Sequence, residues 1–177
     1  YAATTVHEIP PNGQGIAALL ALGILRAFDL PSLPPDSVAS QHLQIEAMKL
    51  GFADAYRFVS DPRTMELPPS ALLDPDYLAS RARLIDPQRA QDFGPGDPPR
   101  GGTVYLCAAD ERGMMVSLIQ SNYMGFGSGV VVPGTGISLQ NRGTGFSLAA
   151  GHPNEIGGGK RPFHTIIPGF LTRNGAP

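Results

Sequence analysis

The sequence is poor in cysteine, tryptophan and charged residues. Its single cysteine, Cys107, excludes an intrachain disulfide and any metal site built from several thiolates. A net charge of −2 and a pI of about 6.1 argue against a nucleic-acid partner, which would require a basic surface. No apolar run reaches the roughly 20 residues of a membrane-spanning helix, and no signal peptide is visible. We therefore expect a globular protein with neither a membrane nor a nucleic-acid partner.

Motifs for metal, dinucleotide and phosphate binding are also lacking. The histidines share no metal-ligand spacing, so we expect neither a metal nor another cofactor. No pair of carboxylates stands out, which argues against a two-carboxylate hydrolase. The pattern Gly13-x-Gly15-x-x-Ala18 is similar to a dinucleotide fingerprint, but two prolines precede it and no second strand ending in an acid follows. Alternating glycines at 125–129 precede a β-branched strand rather than a helix, so phosphate binding is not expected there.

Hydrophobic periodicity predicts helices in the first half of the chain. A short strand over residues 4–9 precedes a helix over residues 16–25 that is apolar on all sides and therefore buried. Asp36 or Ser37 caps a second helix, and Asp74-Pro75-Asp76 starts a third. In the second helix we expect a buried stripe made of Ile45, Met48, Phe52, Tyr56 and Val59. We expect its solvated face to carry Glu46, Lys49, Asp54 and Arg57.

A proline- and glycine-rich segment, residues 86–102, separates the helices from a second half rich in strands. It has almost nothing to bury, so we expect a mobile linker. Strands are predicted over residues 103–109, 114–120, 130–132, 137–140 and 163–171. The first two form a hairpin with both faces covered. Helices followed by consecutive strands favour an α+β fold.

The junction Gly101-Gly102-Thr103 is a candidate site of self-cleavage. A threonine hydroxyl is a weak nucleophile and needs a base, which its own α-amine supplies when the threonine becomes the first residue of a chain. That amine has a pKa of about 7.7–8, so part of it is neutral near pH 7. The linker, the glycine pair and the stiff strand that follows suit a bond that is cut there. A purely structural alternative stays open, because threonine often starts a strand after glycine.

These features and several ordered motifs resemble the gamma-glutamyltranspeptidase family of N-terminal-nucleophile hydrolases. The motifs are Pro10-Pro11, Ala53-Asp54 with Asp61-Pro62, Thr103, Phe126-Gly127-Ser128-Gly129, Gly136-Ile137, Asn141 and Lys160-Arg161-Pro162. The resemblance implies a four-layer αββα sandwich, incomplete in this chain, and a precursor that cleaves itself between Gly102 and Thr103. Residues 1–85 would be the helical C-terminal part of the large subunit. Residues 86–102 would be the linker before the cleavage site, and residues 103–177 the N-terminal strands of the small, catalytic subunit.

The resemblance also implies roles for single residues. Thr103 is the nucleophile that forms an acyl-enzyme, and Ser121 stands where the family has a second threonine that hydrogen-bonds it. The implied substrate-binding residues are Tyr123, Asn141, Arg142, His164 and Thr165.

Several of these positions depart from the family pattern. At Tyr123, Arg142 and Gly145 the family holds a substrate ammonium with amide and acid side chains, and at His164-Thr165 it holds a carboxylate with two serines. A cation at Arg142 would repel an ammonium but suits a planar carboxylate. Together with the stretches 140–143 and 161–165, the departures are similar to the branch of the family that includes oxamate amidohydrolase.

Simpler alternatives exist for these side chains. Arg142 could pair with an acid across the domain, Tyr123 could pack the loop, and His164 could be a core histidine with its hydrogen bonds satisfied. Cys107 is expected to be a buried thiol without a role.

We therefore expect a gamma-glutamyltranspeptidase-like amidohydrolase or acyltransferase that acts on a small acidic amide. The alternatives are a true gamma-glutamyl hydrolase or transferase acting on glutathione, and an inactive fragment or non-enzymatic domain. Because the chain begins at Tyr1 without methionine, we expect it to be a piece of a longer protein. The expected partners are the small-molecule substrate and the rest of its own large and small subunits, with a homo-oligomer as an option. A cytoplasmic location is favoured over a periplasmic one.

Overall fold

The computed structural model describes residues 3–93 and 103–177, with side chains from Tyr105 onward in the second range. The predicted residues before the cut, Gly101 and Gly102, lie outside the described residues. In chain order the elements are β1 (Thr4–His7), α1 (Gly15–Leu25), α2 (Val38–Phe58), α3 (Pro69–Leu72), α4 (Pro75–Ala82), β2 (Thr103–Ala109), β3 (Met115–Ser121) and β4 (Phe170–Arg173). Short 3-10 helices cover Leu30–Ser32 and Arg142–Gly145. This is an α+β fold, as predicted.

Helix α1 lies at the centre of the first half, packed against α2 and α4. None of its residues is exposed, which confirms the prediction of a buried helix. Gly51 of α2 allows this packing, because a Cβ there would lie 2.6 Å from the carbonyl oxygen of Ala17. The predicted helix caps are confirmed. The Ser37 side chain caps α2, and the Asp74 side chain accepts hydrogen bonds from the first turn of α4. Within the described ranges, no helix is both long and apolar enough to cross a membrane.

The predicted buried stripe of α2 is wrong at its first two positions. Val59 is buried, and Phe52 and Tyr56 pack partly buried against the second core cluster, as predicted. Ile45 and Met48 are exposed, whereas the side chains of Leu43, Ala47 and Leu50 are buried against α1. Ala47 and Gly51 let the two helices approach closely, and this approach sets which face of α2 is buried.

Two of the predicted solvated charges of α2 are in fact buried, because each has partners. Glu46 pairs with Lys49 at 2.7 Å, and Asp54 pairs with Arg81 of α4 at 2.8 Å. Burial raises the pKa of Asp54, and the opposing effect of Arg81 is smaller. The Glu46–Lys49 pair has the i,i+3 spacing of neighbours on one helix. The charge pattern could not reveal the Asp54 pair, since Arg81 comes from a different helix.

The first part of the predicted linker is attached to α2. The backbone N–H of Gln91 donates to Glu46 Oε2 at 3.0 Å, and the Lys49 ammonium contacts the carbonyl oxygen of Gln91. Phe93 packs against the helical core. The expectation of few contacts therefore does not hold for residues 86–93, while residues 94–102 lie outside the described residues.

The second half contains two small antiparallel sheets. Strands β2 and β3 form the predicted hairpin, with register pairs from Thr103–Ser121 to Ala109–Met115 and Gly113 at φ 82° in the turn. Strand β1 pairs with β4, which is much shorter than the strand predicted over residues 163–171. The stretches at 130–132 and 137–140 meet at one isolated bridge, Val131–Ser138.

The faces of the hairpin are less covered than the sequence predicts. Tyr105, Leu106, Val116 and Leu118 are each about half exposed, at 45–51% of their surface. Cys107, expected to be buried, is exposed as well. A two-stranded sheet has no neighbouring strands or layers of its own to cover such side chains. The described residues therefore form an α+β arrangement of two small sheets.

Candidate functional site

The hairpin register makes Thr103 and Ser121 direct neighbours. Thr103 is the first residue of β2, and its partner across the ladder is Ser121, the last residue of β3. The Ser121 hydroxyl accepts a hydrogen bond from the backbone N–H of Tyr123 at 3.0 Å. This bond closes a turn in which Tyr123 takes the left-handed conformation, with φ 76°. The end of the hairpin is thus connected directly to the loop that carries Tyr123.

Asn141 fixes the loop that follows Tyr123. Its Oδ1 accepts from the backbone N–H of Met124 at 3.1 Å, and its own N–H donates to the carbonyl oxygen of Asn122 at 3.3 Å. Gly127, in the same loop, has φ +69°, and a Cβ there would lie 2.5 Å from the Leu139 carbonyl oxygen. The Asn141 side chain therefore orders the loop and brings the following residue, Arg142, to the site.

Arg142 is a buried cation without an acidic partner among the residues that the structure describes. It is only 4% exposed, its Nη1 donates to Thr165 Oγ1 at 2.8 Å, and its guanidinium lies 5.0 Å from the centre of the Tyr123 ring. Its Nη2 has no hydrogen-bond partner. Burial lowers the pKa of Arg142 from its ordinary value, and Tyr123 opposes the shift. Arginine nevertheless stays protonated in proteins, so the site holds a positive charge with a free donor.

His164 joins the site to the start of α1. Its backbone N–H donates to the Asn12 carbonyl oxygen at 2.9 Å, and its own carbonyl oxygen accepts from the Gln14 N–H at 2.8 Å. Desolvation, and then the charge of Arg142, lowers the pKa of His164 to about 4. The imidazole is therefore neutral at pH 7. The positive charge on this side of the site is that of Arg142.

A cavity of about 160 Å³ lies beside these residues. Its walls are aromatic or neutral polar: Tyr56, Tyr123, Thr144, Gly145, Asn154, Phe163 and Thr165. None of these lining residues is acidic. Gly145 permits the close contact of two segments here, because a Cβ would lie 2.9 Å from the Phe163 carbonyl oxygen.

Sequence reasoning missed three of the lining residues as part of a site: Tyr56, Thr144 and Asn154. Tyr56 was assigned to the buried stripe of α2, and its ring stands 5.4 Å from that of Phe163. Asn154 lies in a glycine-rich stretch that carries no recognisable motif. The predicted residues Tyr123, Asn141, Arg142, His164 and Thr165 are brought together. Gly102 and the Thr103 side chain lie outside the description. No group of three or more His, Cys, Asp or Glu in residues 3–93 and 103–177 is arranged to hold a metal ion.

Comparisons with known proteins find one family and several relatives that are named as proenzymes. The sequence profile of the family described as gamma-glutamyltranspeptidase matches residues 1–177. The chain is 36% identical over 181 residues to the glutathione hydrolase-like YwrD proenzyme of Bacillus subtilis, covering 100% of this chain and 33% of that protein. It is 40% identical to the oxamate amidohydrolase proenzyme of Klebsiella pneumoniae, covering 96% of this chain and 32% of the relative.

A solved structure is also similar to this chain over its whole length. The crystal structure of cephalosporin acylase from Bacillus halodurans matches with a TM-score of 0.90 at 51% identity, covering 100% of this chain and 32% of that chain. The chain therefore spans about a third of the length of the proteins that it matches.

Proposed function

This chain belongs to the gamma-glutamyltranspeptidase family, and we propose that the full-length protein is a self-cleaving amidohydrolase for a small acidic amide. Cleavage occurs between Gly102 and Thr103, so that residues 1–102 and 103–177 become parts of a large and a small subunit of a four-layer αββα sandwich. Relatives named as proenzymes, which extend well beyond the matched region, support this proposal.

In the proposed reaction Thr103 is the nucleophile. Its hydroxyl oxygen attacks the amide carbonyl while its α-amine takes the hydroxyl proton, and the leaving amine departs with a proton as the acyl-enzyme ester forms. Water, activated by the same amine, then releases the acid and restores the hydroxyl. The register pairing of Thr103 with Ser121 supports a role for Ser121 as a hydroxyl partner of the nucleophile.

The burial and the unpaired Nη2 of Arg142 are the observations that favour an anionic substrate. A buried guanidinium with a free Nη2 is costly unless a negative group completes its hydrogen bonds. A substrate carboxylate would do so, and Thr165, already bonded to Nη1, lies beside it. No acid lines the adjacent cavity, so a substrate ammonium has no counter-charge among the described lining residues.

A matched pair of substrates tests this function. Oxamate and pyruvamide have the same heavy-atom skeleton, but a carboxylate oxygen of the first is a methyl group in the second. We expect the matured full-length protein to hydrolyse oxamate, or a slightly longer anionic amide, at least ten-fold more efficiently than the neutral isostere. A strong preference for a gamma-glutamyl anilide over the anionic amides would contradict the proposal.

Hydrolysis of gamma-glutamyl compounds is the second candidate, favoured by the name of the relative that is 36% identical. It requires a counter-charge for the substrate ammonium close to Arg142. The anilide assay described above decides between the two candidates directly.

A further inference from the structure

Asn154 joins the two segments that form the cationic side of the site. It is buried, at 6% exposure, and both ends of its amide are used. Its Nδ2 donates to the Gly145 carbonyl oxygen at 2.6 Å, and its Oδ1 accepts from the Phe163 N–H at 3.0 Å. Its own carbonyl oxygen accepts from the Ser147 N–H at 2.8 Å. One side chain therefore bridges backbone groups that are 18 residues apart.

The two bridged segments are those that hold the guanidinium in place. Gly145 ends the 3-10 helix that begins with Arg142, and Phe163 lies two residues before Thr165. Arg142 has no ion pair among the described residues, so its position depends on Thr165 and on the Tyr123 ring. A relative shift of the two segments would separate Nη1 from Thr165 Oγ1.

We infer that Asn154 is a positioning residue for anion recognition, because its amide holds the Arg142 segment in register with the Thr165 segment at the wall of the cavity. The role needs one donor and one acceptor in a short side chain, which asparagine supplies. Aspartate has the same shape but cannot donate to the Gly145 carbonyl oxygen, and it would add a negative charge to a wall that faces the anion.

Asn12 provides a matched control. Its Nδ2 donates to the Pro162 carbonyl oxygen at 2.6 Å, so it holds the same segment but from the side of α1. It makes no bond to the Arg142 segment. We therefore expect the Asn12→Ala variant to loosen the Pro162 side without releasing Arg142 from Thr165.

The test compares Asn154→Ala, Asn154→Asp and Asn12→Ala in the full-length protein. We expect Asn154→Ala to raise KM for oxamate about ten-fold with kcat changed less than three-fold, and to leave KM for pyruvamide unchanged. Asn154→Asp should raise KM for oxamate further, and it is close enough in shape to replace the alanine variant if that does not fold. Asn12→Ala should lower the melting temperature while keeping the ratio of the two KM values. The inference would be overturned if Asn12→Ala raised the ratio of KM for oxamate to KM for pyruvamide as much as the Asn154 variants do. It would also be overturned if both Asn154 variants left that ratio unchanged.

The kinetic test of Asn154 rests on the proposed function. A second measurement therefore tests the role of Asn154 independently of the substrate. In a crystal structure of Asn154→Ala, the inference predicts that Arg142 Nη1 has left Thr165 Oγ1. A guanidinium that keeps its 2.8 Å bond in the variant contradicts the inference, whatever substrate the enzyme uses. A wild-type enzyme that ignores oxamate would contradict only the proposed function.

Discussion

In the helical half, residues 3–93, apolar side chains fill two buried clusters, whereas residues 103–177 bury chiefly the residues of the site. The ion pairs between described residues all lie in the first half. Among the glycines that the structure describes, nine have positive φ, and all nine lie in the second half. The helical half is thus stabilised by packing. The strand half owes its shape to backbone conformations and to hydrogen bonds such as those of Asn141 and Asn154.

This difference implies that stability and specificity can be changed separately. A substitution deep in the helical core should cost stability and leave substrate choice alone. A substitution at Arg142 should do the reverse. Phe163 packs with the helical core and also lines the cavity, so it couples the core of the first half to the site.

The largest effect is expected for Leu50→Ala. Leu50 is fully buried in a cluster whose members all lie in residues 21–85. Removing its side chain should cost about 3 kcal/mol of stability, measured by thermal or urea unfolding. The preference for oxamate over pyruvamide should stay within about two-fold of wild type. A change in preference as large as that of an Arg142 variant would show that the two halves are not separable.

The converse effect is expected for Arg142→Met. Loss of the buried cation should reduce the preference for oxamate over pyruvamide about 100-fold, equivalent to about 2.7 kcal/mol. The melting temperature should be unchanged or higher, because an unpaired buried charge is replaced by an apolar side chain. Arg112→Met, in the exposed turn between β2 and β3, is the control and should change neither quantity. An Arg142→Met variant that keeps the full preference for oxamate would contradict the proposal that Arg142 binds a substrate carboxylate.

Two glycine variants test whether backbone conformation stabilises the strand half. Gly127→Ala combines φ +69° with a clash at 2.5 Å against the Leu139 carbonyl oxygen, and should cost about 2 kcal/mol. Gly129→Ala has a similar φ of +74° but no atom within 4 Å of the added Cβ, so it should cost only about 1 kcal/mol. Equal melting temperatures for the two variants would show that the close approach at Gly127 contributes nothing.

A smaller effect is expected from pH. The pKa of His164 is about 4 in the folded protein and ordinarily about 6.5, so the unfolded chain takes up a proton first on acidification. Stability should therefore fall between pH 6.5 and pH 4, by about 1–2 kcal/mol because the side chain is only partly buried. The His164→Gln variant should lack this contribution, as measured by melting temperatures at pH 7, 5.5 and 4. Parallel pH curves for the two proteins would contradict the assignment.

The sequence predicts best what depends on neighbouring residues. The Asp74 cap and the hairpin turn at 110–113 are fixed by local chemistry, and both are found. The prediction for the buried face of α2 is wrong at Ile45 and Met48, because burial there depends on how closely α1 approaches at Gly51. Two further contacts join residues far apart in the chain: Arg81 pairs with Asp54, and the Gln91 N–H donates to Glu46.

The contacts that form the site also join residues far apart in the chain, which the sequence pattern does not predict. Arg142 and Thr165 are 23 residues apart, and no periodicity predicts their contact. Both were singled out through resemblance to a family rather than through spacing. Tyr56 and Asn154 belong to no motif, so only the folded structure reveals that they line the cavity.

The most direct test of the account is the mass of the freshly purified full-length protein. We expect two polypeptides, the second beginning at Thr103, and a single uncut polypeptide for Thr103→Ala. The wild-type small subunit should also gain the mass of one covalent adduct of the reagent at Thr103 when treated with a threonine-directed electrophile. A wild-type chain that stays intact and unlabelled would contradict the assignment of Thr103 as the nucleophile.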